Sequence, residues 1–272
     1  MEKIASSKIS PEDIETRKKQ IYIAKKTQRL LGNFITFPAF FKYHLQLIHQ
    51  GSAFSLHPLY AQYFFKQKLI IQLPIQRIEH AMHDWVQCNA QHLHTSDYFL
   101  SNQDLLSISH PVENILAYRH AKELLAADWN YQSTKAYQYF STALSKGKPI
   151  KKQHVLLDST TAIDAYFERF QQLYLSIQNH GLLSNAQISQ RSTQQPDREI
   201  GIAIDHRGNI IKLQGGQHRF ALAKLLNISH IPVEIRMVHT DLLQQICQTH
   251  KKSPIQAILW MAHQLASAEA VC

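Results

Sequence analysis

The chain has 272 residues, 44% of them apolar, enough for one large domain or two small ones with a sizeable buried core, so it reads as a globular protein. Lys and Arg total 29 against 20 Asp and Glu, a net charge of +9 that favours anionic partners: nucleotides, nucleic acid or acidic lipid headgroups. Cys88, Cys247 and Cys272 are odd in number and widely spaced, which argues against a disulfide framework or a zinc ribbon and fits a reducing cytoplasm. The opening MEKIASSKISPEDIETRKKQ has no apolar stretch after its charges, and no later window of about 18 apolar residues occurs. Neither a signal peptide nor a membrane span is expected, and the location expected is cytoplasmic.

In chain order, Ser10 as N-cap, Pro11 at the first helical position and Gly32 beyond the last turn predict a helix from Pro11 to Leu31. Its outer face carries Arg17, Lys18, Lys19, Lys25, Lys26 and Arg29, read first as a solvated face. Aromatic residues crowd 34–73, and spacings such as Tyr60 to Phe64 suggest core-facing helices. Helical patterns continue through 75–91 and 111–127, so residues 1–150 read as a mostly helical region. His80, Asp84, Cys88 and His92 stand four apart, but a helix holding all four is too long for one ion, and no HExxH is present. No metal site is expected there.

The character changes near residue 150. Thr161 to Asp164 reads as a capping box, and Ile163, Tyr166, Phe167, Phe170, Leu173, Tyr174 and Ile177 then recur at helical spacing up to Gly181. After a polar loop, 200-IGIAI-204 and 210-IIKL-213 flank the turn 205-DHRGN-209 as two short strands. A helix follows Gly216, with Leu222, Leu225 and Leu226 on one face and Asn227 where a left-handed residue is wanted. Two short helices fill the tail. The expected fold is α/β (α+β), with a helical region 1–150, a core 151–245 and a helical tail 246–272.

Only 8 glycines occur in the chain, yet Gly215 and Gly216 are adjacent, directly before Gln217, His218, Arg219 and a helix. A strand running through glycines into a helix N-terminus aims backbone N–H groups and the positive end of the helix dipole at one point, and no Cβ blocks an approaching phosphate. Arg219 and His218 add charge-assisted donors. The same glycines could also serve the turn alone.

The stretch 200-IGIAIDHRGNIIKLQGGQHRFALAKLLNISHIPVEIRMVH-239 resembles the ParB/sulfiredoxin superfamily: a hairpin, a GG-x-H-R turn, an Ala- and Leu-rich helix and an I-P-V strand. The segment 173-LYLSIQNHG-181 is similar to its first box, so the resemblance covers roughly residues 160–240. Upstream, 127-ADWN-130 and 137-YQYFSTALSKGKP-149 resemble uncharacterised ParB-like proteins that accompany surface-polysaccharide genes. The resemblance implies that Gly216, His218 and Arg219 contact the phosphates of a nucleotide, ATP or CTP; Gly215 and Gln217 of the same turn and Ser176 of the first box are expected to join them, with Mg²⁺ as companion ion. Gln217 stands where sulfiredoxins have cysteine, which removes the thiol their chemistry needs. Gly215 stands where kinase-like members carry aspartate, so a catalytic carboxylate must come from elsewhere. Candidates are Asp205, Asp164 and Glu168, with Glu199 and Asp158 also weighed.

No Walker A loop, G-x-G-x-x-G or G-x-S-x-G is present, and no helix-turn-helix follows the core. The leading expectation is phosphoryl transfer from a nucleotide to a small hydroxyl-bearing acceptor, such as a sugar or polysaccharide precursor. The alternative is a non-catalytic nucleotide-gated or DNA-binding module, with nucleic acid as the further partner.

Overall fold

The computed structural model describes residue 61 and residues 65–83, 85–88, 91–94, 99–152, 155–189, 199–213 and 215–267. The expected helix Pro11–Leu31, its basic face and most of the aromatic stretch lie outside these residues. The fold is α/β, as expected.

Among the described residues, seven strands make one mixed sheet. β1 (Ile70–Pro74) is antiparallel to β11 (His230–His239), which runs parallel to β9 (Ile200–Ile204). β9 forms the expected hairpin with β10 (Ile210–Lys212), and β10 is parallel to β2 (Ile78–Ala81), which pairs with β6 (His110–Pro111). β5 (Leu100–Ser101) adds to the far end of β11. β3 (Trp85–Cys88) with β4 (Gln91–His94), and β7 (Ile150–Lys152) with β8 (Val155–Leu157), form separate ribbons.

The structure corrects two expectations. Where a helix is expected over 75–91, the described residues form a 3₁₀ turn and short strands: Ile75, Ile78 and Met82 recur at helical steps and are all buried, but Ile75 lies in a 3₁₀ turn (Ile75–Arg77) between two strands. That turn interrupts the period-2 alternation of Ile71 and Leu73, both buried, around exposed Gln72, and so mimics a helical stripe. Strands from 70–81 therefore share a sheet with strands from 200–239, and the boundary expected near 150 does not divide the described sheet.

Between the sheet strands and the tail the chain forms α1 (Leu116–Ala126), α2 (Lys135–Ser145), α3 (Thr160–His180), the short α4 (Asn185–Ser189) and α5 (Gln217–Leu225), which packs on β9. α1 packs on α5 and buries Ala117, Ala121 and Leu124, and α3 packs on both α2 and α5. Lys224 of α5 donates to the carbonyls of Ile75 (3.1 Å) and Ile78 (3.0 Å), tying the helix to the turn between β1 and β2. After α1, Asp128 and Trp129 both adopt positive φ, and this reversal lays Trp129 against Phe170 and Tyr174 of α3. The tail forms α6 (Thr240–Thr249) and α7 (Pro254–Ser267), the two helices expected.

β9 is buried along its whole length. Ile202 and Ile204 join the large cluster containing Phe140, Phe167, Phe170 and Phe220, whereas Ala203 packs with Ile211, Met237, Met82 and Leu105 in a smaller one. This two-sided burial explains the continuous apolar run 200–204. α3 does not begin with the expected capping box: Ser159 is the N-cap, its Oγ accepting from the Ala162 N–H at 3.1 Å. Gly181 ends the helix as expected.

Candidate phosphate-binding turn

The turn is shaped by where its backbone must pass. Gly215 has φ 95°, and Gly216, the N-cap of α5, has φ 61° and ψ 29°, in the left-handed region that L side chains rarely adopt. A Cβ on Gly216 would come within 2.8 Å of Ile200 Cγ1, and one on Gly215 within 3.1 Å of Arg236 Nη1. The pair is therefore required by the turn itself, whatever else it does. The first helical hydrogen bond runs from the Phe220 N–H to the Gly216 carbonyl (2.8 Å), so the amides of the first turn face the loop.

Three cations converge on this backbone. Lys212, only 1% exposed, sends Nζ to the carbonyls of Leu213 (2.7 Å) and Gly215 (3.1 Å) and lies over the Phe220 ring. Arg236 crosses from β11 over β9: its Nη2 donates to the Glu199 carbonyl and its Nε to Glu234 Oε2 at 2.9 Å. That crossing needs Gly201, where a Cβ would stand 2.7 Å from Arg236 Cδ. Arg219 uses Nη1 on Asn185 Oδ1 (2.8 Å) and Nη2 on the Leu183 carbonyl (2.6 Å), with Glu199 Oε2 at 3.4 Å. It thereby pins the segment entering α4 to the first turn of α5. Arg219 pairs with Glu199 and Arg236 with Glu234, and Lys212 adds a third basic side chain beside the α5 N-terminus.

Glu199 is 3% exposed. Burial raises its pKa, against the Asn185 N–H and Arg219, which both favour the carboxylate.

His218 is placed differently from the expectation that it contacts phosphate. Its ring turns into the helical layer, where Nε2 and the Tyr166 hydroxyl share a hydrogen bond of 3.0 Å and Phe170 lies edge-on with ring centroids 4.7 Å apart. Burial, then the positive charges of His120 and Lys152, lower its pKa to about 4, so the imidazole is neutral at physiological pH. Burial likewise pushes the Tyr166 phenol up to about 12. His218 anchors α5 to α3.

The expected catalytic carboxylates are not gathered at the turn. Asp205 is fully buried and folds its own hairpin: Oδ1 accepts from the Arg207 N–H (2.8 Å) and the Asn209 N–H (2.7 Å), and Oδ2 from the Asn209 side-chain amide (2.7 Å). Asp164 lies on α3, half-buried, with its Oδ1 shielded from water and without a hydrogen-bond partner, and burial and then its charge raise the Tyr137 pKa. Glu168 and Asp158 are exposed. Ser176 is exposed on α3, and its carbonyl bonds His180. Gln217 opens α5, half-buried. Of the carboxylates weighed from the sequence, Glu199 is the one that pairs with Arg219.

His80, Cys88 and His92 fall on three different strands, so the helical spacing that would have paired them does not exist; Asp84 lies outside the described residues. Sequence reasoning passed over Gly201, Lys212, Glu234, Arg236 and Asn185. An isolated glycine within an apolar strand signals close approach by another group, and Glu234 and Arg236, two apart on β11, necessarily share a face. No helix among the described residues is long and apolar enough to cross a membrane. Comparison of the chain with family models, with curated proteins and with solved structures finds no match.

Proposed function

We propose that this chain binds a nucleoside triphosphate, ATP or CTP, through the turn Gly215–Gly216 and the N-terminus of α5. The observation that carries the reading is the convergence of Lys212, Arg219 and Arg236 on a side-chain-free turn at a helix N-terminus. The resemblance of 200–239 to the ParB/sulfiredoxin superfamily supports it independently of that geometry. In this reading Gly215, Gly216 and Gln217 offer backbone N–H groups, and Arg219 and Arg236 supply charge. Lys212 holds the turn open by fixing two of its carbonyls. His218 acts indirectly, by fixing the orientation of α5.

Within that reading, a nucleotide-gated module is favoured by the placement of the expected carboxylates: Asp205 is bonded within its own hairpin, Asp164 lies on α3 and Glu168 is exposed. Occupancy would be sensed through Arg219, which stands in the first turn of α5 and holds the segment entering α4. Phosphoryl transfer to a small hydroxyl-bearing acceptor is the second reading, favoured by the carboxylate of Glu199 at the turn. Titration of ATP, CTP, GTP and ADP with Mg²⁺, followed by diphosphate release with and without a panel of sugars, separates them. A gated module binds and shows no acceptor dependence, whereas a phosphotransferase releases diphosphate faster with its acceptor. Absence of any binding removes both.

A further inference from the structure

Arg219 is the residue expected to meet phosphate, yet its guanidinium is already held by three oxygens. The carbonyl of Leu183 and Oδ1 of Asn185 are close, at 2.6 and 2.8 Å; the carboxylate of Glu199 is the most distant partner, at 3.4 Å. It is also the only one of the three that carries a charge. Both ends of the ion pair are shielded from water, with 14% of the Arg219 side chain and 3% of that of Glu199 exposed.

We infer that Glu199 is an internal competitor that occupies Arg219 in the empty protein, and that an incoming phosphoanion takes Arg219 from it. The inference rests on the glycine turn being the phosphate site and adds a cost to binding there. The Arg219 contacts to Leu183 and Asn185 involve neutral oxygens and can persist, so the guanidinium need only reorient one N–H toward the ligand. Glu199 would then keep the Asn185 N–H but lose its counter-charge in a buried position. The charged groups facing it are Arg219 from α5, Glu234 from β11, and Arg236 from β11, whose Nη2 sits on the Glu199 backbone carbonyl rather than the carboxylate. Glu234 disfavours a second negative charge nearby. Burial already raises the Glu199 pKa with Arg219 present, and removal of Arg219 raises it further. The relief is proton uptake from solvent, after which the neutral carboxyl still accepts from Asn185. Binding of a phosphoanion is thus coupled to proton uptake at Glu199, a contribution that weakens as pH rises.

Calorimetric titration of inorganic tripolyphosphate into the full-length wild type and Glu199→Gln, each in two buffers of different ionisation enthalpy, tests this. Gln keeps the shape and the acceptor for the Asn185 N–H while removing the competing charge. The expected result is a proton uptake by the wild type beyond the ligand's own ionisation, and for E199Q roughly tenfold tighter binding with only the ligand's share of the buffer dependence. Wild-type binding accompanied by equal or weaker binding to E199Q, or by unchanged proton uptake, overturns the competitor role and leaves the phosphate site standing. Binding by neither protein overturns both. Should E199Q not fold, a wild-type titration with sulfate, which does not ionise between pH 6 and 8, decides alone: a buffer-independent enthalpy over that range sinks the proposal.

Discussion

Replacement of Gly216 by alanine tests whether the glycine pair is demanded by the turn, and its cost can be built from two parts. An L residue at φ 61°, ψ 29° costs about 1–2 kcal/mol relative to glycine. The added Cβ would also lie 2.8 Å from Cγ1 of Ile200, a fully buried residue of β9 that cannot withdraw without displacing the strand. Overpacking of that kind costs about 1–3 kcal/mol. The sum is about 2–5 kcal/mol, a large part of the ~5–15 kcal/mol stability typical of a domain. Gly208→Ala is the matched control: Gly208 also has positive φ (85°), but a Cβ there would meet nothing within 4 Å, so only the conformational part of about 1–2 kcal/mol applies. Urea unfolding of the two variants, followed by circular dichroism, reads the difference. Equal midpoints for G216A and G208A would refute the packing argument and show that Ile200 yields freely.

The burial of His218 gives a pH signature. Its folded pKa of about 4 lies below the usual 6.5, so the stability it contributes is complete above pH 6.5 and is lost as pH falls toward 4. The loss is on the order of 3 kcal/mol, and a His218→Gln variant should show a flatter urea midpoint against pH over that window. His120 and His239, also lowered by burial, act in the same direction and leave a residual slope. Ser159→Ala should cost about 1 kcal/mol by removing the α3 N-cap, whereas Thr161→Ala should stay within about 0.5 kcal/mol; equal effects would restore the capping box at Thr161. Gly201→Ala should displace Arg236 from its path across β9 and weaken tripolyphosphate binding more than it lowers the thermal midpoint. An unchanged affinity would remove Arg236 from the site.

The C-terminal half is legible in the sequence because its signals are local. The hairpin 200–213 has a Gly- and Asn-containing turn between apolar runs, Gly181 and Asn227 mark helix ends, and 163–177 repeats at helical spacing, each decided within a few residues. The strands at 70–81 escape such a reading because their identity depends on β11 and β10, far along the chain; without those partners, Ile75, Ile78 and Met82 look helical. The site divides in the same way. The glycine pair and Arg219 lie in one short motif, but Lys212, Arg236 and Glu199 meet only when β9, β10 and β11 align. His218 reads as a phosphate donor from its position beside the glycines, and only the packing of α3 on α5 reveals Tyr166 as its partner.

The most direct test of the central claim is to titrate Mg²⁺-ATP and Mg²⁺-CTP into ¹⁵N-labelled protein and follow the backbone amides. The account predicts saturable shifts at Gly215, Gly216, Gln217 and Arg219, with smaller ones at Asn185 as Arg219 reorients. Absence of shifts with every nucleotide, or shifts confined to residues remote from the turn, would contradict it and leave the two glycines with the conformational task alone.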